Sequence, residues 1–501
     1  MRFFLFICSN REKMSNFVTE SIKGNMKPQN RNYIVSLIIL LWAAISVHAK
    51  EQMPGRNSII KFPGGKTYLY RLTLTDKNGT PFSLQSPNEY LSIKAIERRR
   101  RQGLSVDSTD LPLPPMYLER ISSTSGVEVV CVSKWNKTVL VKVNDPSKVK
   151  PLTTLPFISK TQKVFTSPDS ISKSDRSLYH QDLEKWEGAI DEEYGMSAQN
   201  IDMINGRQLH RWGYRGRGLT IAVFDGGFMN VDRIPAMHGV RIAGSRDFVA
   251  FKSKSIYEEH DHGTKVLSTM AVDIPGVYVG TAPEATYWLI RAEDTSTESL
   301  AEEDYWAAAA EFADSLGVDI ISSSLGFQDF DDKSTDHKYT ELDGHHALIS
   351  CTASMLASKG IVHVNSAGNE GLGTWKKINF PADASDILAV GAVNTKRKNA
   401  TFSSVGPSED GRVKPDIMSL GNPASVISGR GAANSDMGTS FAAPIISGMV
   451  ACLWQAVPKA TAYQVMDAIR RSADNYTTPN NIFGYGIPDF EKAYHILSKK
   501  Q

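Results

Sequence analysis

The chain reads as an α/β protein: a mostly parallel sheet with helices on both faces, preceded by a small α+β domain. Three observations lead there. From residue 201 onward, short apolar strand runs alternate with helical stretches, the pattern of a parallel sheet covered on both sides. Residues 66–164 have another texture: strand, helix, strand, strand. Between the two, residues 166–200 are polar, rich in Ser and Asp, and without steady periodicity, as linkers are.

Composition agrees with this division. A chain of 501 residues favours two or three domains. Its 41% hydrophobic and 22% charged content is ordinary for a soluble globular protein. A net charge of +2 argues against a nucleic-acid surface. Cys8, Cys131, Cys351 and Cys452 are far apart, so they form neither a disulfide framework nor a zinc spacing.

Taken in order, the first element is "IVSLIILLWAAISVHA", residues 34–49, uncharged and preceded by Lys27 and Arg31. It is short for a membrane span. Counted from Met26, it has the basic start, apolar middle and small-residue exit of a signal peptide. The expected division is therefore a signal at 1–49, an α+β domain at 50–165, a linker with the maturation point at 166–200, and the main domain at 201–501. No other segment is expected to cross a bilayer, and the protein is expected to be exported: secreted, periplasmic or held at the cell envelope.

In the smaller domain "KTYLYRLTLTD" alternates as a strand, and "DKNGTP" is a turn. "SPNEYLSIKAIERRRRQGL" predicts a capped, basic helix, and "VEVVCVSKWNKTVLVKV" a hairpin about Asn136 and Lys137. In the larger domain "LTIAVFD", "ATYWLIRAED", "VDIISSSLG", "IVHVNSAGN" and "ILAVGAV" read as strands. "HGTKVLSTMAV", "SLAEEDYWAAAAEFADSLG", "HHALISCTASMLASKG" and "GTSFAAPIISGMVACLWQA" read as helices. Such sheets hold ligands beyond the carboxyl ends of their strands, so the polar residues just after the strand runs are the ones to test.

Three of those have the types that nucleophilic catalysis needs. Asp225 ends "IAVFD", His262 stands at the mouth of a helix, and Ser440 opens another. A serine hydroxyl is a weak nucleophile until an imidazole takes its proton, and the imidazole needs a carboxylate to fix its tautomer. Gly226, Gly227, Gly263 and Gly438 leave room for close approach. At a helix start, Ser440 has free N–H groups and a positive dipole end for a developing oxyanion. Pro444 is expected to be tolerated because first-turn amides lack partners. Asn369, after a buried strand, can donate its amide to the same oxyanion.

On "VFDGGF", "HGTKV", "NSAGNEG" and "GTSFAAP", in that order, residues 201 to about 495 resemble the subtilisin-like serine peptidases, the subtilases. The order Asp, His, Ser is the one that subtilisin uses. "GTAPEA" and "SSSLG" also fit. The resemblance implies a catalytic triad of Asp225, His262 and Ser440 with Asn369 in the oxyanion hole. It implies a substrate cleft shaped by Ser324, Leu325, Gly326, Ser366, Ala367 and Gly368, where a peptide adds by β-pairing. Residues 66–164 are similar to the N-terminal regions of subtilases from the Bacteroidetes group, which implies a propeptide that aids folding and inhibits until removed. The expected partners are protein or peptide substrates and the chain's own propeptide, with no nucleic acid. No cofactor is required for the chemistry and no metal site is assigned; structural calcium stays open, since no ligand set stands out. Two departures are Gly226–Gly227 after the aspartate and Lys265 after "HGT", which changes charge near the cleft.

His260, Asp261 and His262 could bind a metal, but no second cluster matches them. "ERRRRQG" reads as a solvated helix face before it reads as a processing site, and "AEEDYWAAAAEF" as a core helix with a solvated acidic back. His345, His346 and His363 read as surface and core residues. A non-catalytic subtilase-like module and an esterase with the same triad complete the alternatives. The intact triad speaks against the first, and the absence of a GxSxG elbow around Ser440 against the second.

Overall fold

The computed structural model describes residues 58–173 and 191–499. The apolar stretch 34–49, Met26, Cys8 and residues 174–190 of the expected linker lie outside them. The smaller domain contains β1 (Ser58–Lys61), β2 (Tyr68–Leu74), α1 (Ile93–Arg101), α2 (Pro115–Ser122), β3 (Val127–Ser133), β4 (Thr138–Val143), β5 (Ile158–Thr166) and β6 (Ser170–Lys173). Four of the strands form an antiparallel sheet in the order β3-β4-β2-β5. Both faces of β2 are covered: Leu69 and Arg71 are buried on one, Leu72 and Leu74 on the other. The predicted hairpin is β3–β4, and Lys137 at its tip takes a left-handed φ of 57°.

Three differences from the sequence reading have local causes. The predicted basic helix starts later than expected, at Ile93, because Ser92 caps it: its hydroxyl accepts from the Ala95 amide at 3.1 Å. Both ends of the stretch read as a linker are structured. β6 pairs with β1, which satisfies its backbone without a hydrophobic pattern to announce it, and a short helix begins at Ala198.

The larger domain contains seven parallel strands: β7 (Thr220–Asp225), β8 (Arg241–Asp247), β9 (Thr286–Arg291), β10 (Ile320–Ser323), β11 (Val362–Ser366), β12 (Leu388–Asn394) and β13 (Ile417–Asn422). Their order is β13-β12-β11-β10-β7-β9-β8, parallel throughout. The edge strands β8 and β13 are absent from the sequence reading; "RIAGSRD" carries too few apolar residues to signal a strand. A hairpin of β14 (Ala424–Ile427) and β15 (Ala433–Asp436) follows. The helices are α3 (His262–Ala271), α4 (Glu302–Leu316), α5 (Leu348–Met355), α6 (Thr439–Ala456), α7 (Ala462–Ser472) and α8 (Phe490–Ser498). One apolar cluster joins the sheet to α3, α6, α7 and α8, the other to α4 and α5, so both faces are covered. By length and composition α6 could cross a bilayer, contrary to expectation, but 89% of it is buried; it is a core helix.

The expected solvated back of α4 is not solvated. Glu302, Glu303, Asp304, Glu311 and Asp314 are all buried, because the smaller domain lies on them. Arg71 of β2 grips Asp304, with Nη2 2.7 Å from Oδ2 and Nε 2.9 Å from Oδ1. Glu311 accepts from the Ser133 hydroxyl and the Lys134 and Trp135 amides of the β3–β4 turn. The basic run is likewise no solvated face. Arg98 and Arg99 are 2% and 1% exposed. Both bind Asp314, and Arg99 also binds Asp110 at 2.9 Å. Lys359, near the end of α5, reaches back to Asp107 and Asp110.

Breaking a buried ion pair leaves an uncompensated charge, at a cost of about 3–5 kcal/mol. Asp314→Ala therefore lowers the urea midpoint of the full-length protein by far more than Arg101→Ala, whose side chain is 42% exposed.

His363 of β11 is fully buried under Trp306, ring centroids 5.2 Å apart. Neither ring nitrogen has a hydrogen-bond partner among the described residues. Burial pulls its pKa down to about 3. A histidine depressed in the folded state contributes stability above its unfolded pKa, and this is lost as pH falls from about 6.5. His363→Val flattens the decline of melting temperature between about pH 6.5 and 4.

Candidate active site

β7 runs through the middle of the sheet, and Asp225 is its last residue, fully buried. Its carboxylate accepts from His262 Nδ1, at 3.0 Å to Oδ1 and 2.9 Å to Oδ2, and from the Gly226 amide at 2.8 Å. His262 is the first residue of α3, held there by a backbone contact: the Gly263 amide donates to the Gly227 carbonyl at 3.1 Å. A Cβ on Gly263 would stand 2.3 Å from that oxygen, so only glycine allows the helix to start against the strand end.

The bond to Asp225 leaves Nε2 of His262 free to face the third group. Burial opposes the charged ring and would lower its pKa. The charge of Asp225 and its hydrogen bond outweigh this, Glu293 adds to them, and the result is about 9. The ring is 27% exposed and lies 5.6 Å from the ring of Phe441, centroid to centroid.

Ser440 is the second residue of α6 and 8% exposed. Its hydroxyl donates to the Ser324 carbonyl at a long 3.4 Å; among the described residues no hydrogen bond joins it to His262. Such contacts are often loose before substrate binds. The helix has no side-chain cap, so Thr439 and Ser440 are not N-caps. Pro444 stands sixth, not in the unpaired first turn, and its missing N–H deprives the Ser440 carbonyl of its partner. The Ser324 hydroxyl takes that place, donating to the Ser440 carbonyl at 2.8 Å.

Asn369 follows β11 and is exposed. Its Oδ1 accepts from both the amide and the hydroxyl of Thr439, each at 3.0 Å, so its NH₂ is turned away from Thr439. The same Thr439 hydroxyl accepts from the Gly368 amide at 3.2 Å. Gly368 has a φ of 107°, and a Cβ there would meet Ser404 and Asn379 within 3 Å. Thr439 thus orients Asn369.

Ser324, Leu325 and Gly326 extend β10 beyond its carboxyl end, while Ser366 ends its neighbour β11 and Ala367 and Gly368 extend it. The Asn365 amide ties the two segments, donating to the Leu325 and Ser366 carbonyls at 3.1 and 2.8 Å. β10 itself lies inside the sheet between β7 and β11, so the expected edge is only this extension. Leu325 and Ala367 are buried and offer backbone to the cleft. The metal reading of His260 and Asp261 finds other partners: His260 Nδ1 accepts from the His262 amide, and Asp261 binds the Gly429 amide and Lys265. Among the described residues no three His, Cys, Asp or Glu side chains converge for a metal ion.

Sequence reasoning missed Glu293. It lies two residues past β9, whose Arg291 pairs with Asp225 across the sheet, so the carboxyl-end rule points to it. Its Oε2 would lie 2.6 Å from a Cβ on Gly226. Burial and the charge of Asp225 raise its pKa to about 7. Removing a negative charge beside an imidazolium disfavours the protonated ring. Glu293→Gln therefore moves the NMR titration of His262 to lower pH, and Asp225→Asn moves it further.

Comparison with known proteins agrees in extent and kind. The "Subtilase family" matches residues 216–486. The "Peptidase S8 propeptide domain, Bacteroidota" matches residues 69–179. The chain is 30% identical to Subtilisin NAT of Bacillus subtilis subsp. natto over 304 residues, 60% of this chain and 71% of that protein. It is 29% identical to a Thermostable alkaline protease of Halalkalibacterium halodurans over 290 residues, 57% and 70% of the two chains. It is 27% identical to Minor extracellular protease Epr of Bacillus subtilis over 302 residues, 58% and 41% of the two chains.

Proposed function

The chain belongs to the subtilase family of serine endopeptidases, and from that premise we propose that Asp225, His262 and Ser440 are its catalytic triad, with Asn369 as oxyanion donor. The observation that carries the assignment is the buried Asp225 carboxylate bound to His262 Nδ1 at 2.9 Å. That bond leaves Nε2 as the base.

Ser440 attacks the substrate carbonyl as His262 takes its proton, and the Asn369 NH₂ and the Ser440 amide bind the oxyanion. His262 then protonates the leaving amine, and water repeats the sequence on the acyl-enzyme. The peptide lies along 324–326 and 366–368. This triad chemistry requires no cofactor; structural calcium is unassigned. His262 acts only when neutral, so kcat/KM rises as pH climbs through its pKa toward about 9. The likeness to an alkaline protease supports that direction.

The same reading makes the chain a zymogen. The propeptide match at 69–179 covers the domain whose Arg71, Arg98 and Arg99 cover α4, and maturation cleaves within the stretch 166–200. The signal-like stretch at 34–49 and a relative named as extracellular support export.

A fluorophosphonate probe labels the matured protein, and Ser440→Ala abolishes the labelling; equal labelling of both would remove Ser440 as nucleophile. Asn369→Leu leaves labelling detectable and lowers kcat about a hundred- to thousand-fold.

A further inference from the structure

The segment that delivers Ser440 is held at its two ends: Asp436 pairs with Ala424 in the β14–β15 hairpin, and Thr439 is bonded to Asn369 and Gly368. β15 ends at Asp436, and only Met437 and Gly438 separate it from α6. Met437 is 62% exposed and packs nothing in place. Gly438 donates its amide to the Gly421 carbonyl at 3.0 Å and accepts from the Phe441 amide at 3.2 Å. A further tie is at Asp436, whose Oδ1 accepts from the Met437 amide at 2.8 Å. Its Oδ2 lies 3.1 Å from Nζ of Lys265.

Lys265 belongs to α3, the helix that begins with His262. It is the fourth residue, close to the positive end of the dipole, where a cation is disfavoured. Two carboxylates offset this: Asp436, and Asp261 at 3.5 Å. Asp261 immediately precedes α3, and its Oδ2 holds the Gly429 amide at 3.1 Å. Lys265 therefore joins a fixed point beside His262 to the last residue before the nucleophile segment. The pair is partly sheltered, with side chains 21% and 38% exposed.

We propose that Lys265 is a positioning residue for the reaction: its ion pair with Asp436 holds residues 436–439 against α3 and so sets the approach of Ser440 to His262. This rests on the triad assignment above. It does not require Lys265 to touch substrate.

The consequence is a kcat effect. Partly exposed ion pairs contribute up to about 1 kcal/mol, about five-fold in rate. The test uses matured enzyme from full-length Lys265→Met, Lys265→Arg, Asp436→Asn and the Lys265→Met/Asp436→Asn double variant. Asn at 436 keeps an acceptor for the Met437 amide and removes only the charge. Rates are measured on the alkaline plateau, where His262 is neutral in every variant, so a change in its titration does not enter.

Lys265→Met and Asp436→Asn each lower kcat about five-fold with KM within two-fold. The double variant is no slower than either single one, and Lys265→Arg retains most of the wild-type kcat. Added salt lowers kcat of the wild type toward that of Asp436→Asn, whose rate stays flat. Wild-type kcat in either single variant, or losses that multiply in the double, would overturn the proposal. Should Lys265→Met fail to mature, Asp436→Asn and the salt series decide alone. Unchanged fluorophosphonate labelling in Ser440→Ala would instead refute the triad assignment, which separates the two failures.

Discussion

The active end of the sheet depends on one backbone contact, that of Gly263 with Gly227. Where β7 stops and α3 starts, there is no room for a side chain between them. That closeness brings the last residue of the strand within hydrogen-bond reach of the first residue of the helix. The carboxylate and the imidazole therefore meet without loop residues between them, and the geometry inherits the rigidity of the sheet. The other candidate site residues are brought in by similar means. Asn369 is held by Thr439 at the head of α6, and Ser440 by Ser324 at the end of β10. Each functional group is oriented by a hydrogen bond to another element, not by its own chain neighbours.

The second constraint is electrostatic. α4 carries five buried acidic side chains, a composition that a core helix does not support alone. The smaller domain supplies Arg71, Arg98 and Arg99 together with the donors of the β3–β4 turn. The two domains complement one another in charge as well as shape. A buried network of this kind adds little net stability over an apolar interface, but it penalises misaligned docking heavily. It selects one orientation of the smaller domain on α4.

Much of this was legible in the sequence. The strand–helix alternation, the four site residues and the hairpin at Lys137 follow from periodicity, turn chemistry and motif order, which are local properties. What the sequence hid was relational. The basic run in α1 and the acidic face of α4 each read as solvated, because charge pattern alone does not show that one covers the other. Edge strand β8 lacks an apolar pattern, since its exposed edge position needs less burial than an interior strand. The role of Thr439 has no local signal, since its partner lies 70 positions away in the chain. Glu293 was passed over although it lies just beyond a strand end.

The proline in α6 has a wider effect than the loss of one helical bond. By leaving the Ser440 carbonyl open, it lets Ser324 bind the peptide group of Ser440, while the Ser324 carbonyl receives the Ser440 hydroxyl. On the proposed reading, the floor of the cleft and the attacking group are thereby linked in both directions. A peptide seated along 324–326 then carries Ser440 with it, so the offset between the bound chain and its attacker is conserved. Misfit with a poor substrate must then be absorbed on the opposite wall, at Asn369 and His262, where orientation and proton transfer are most sensitive to it.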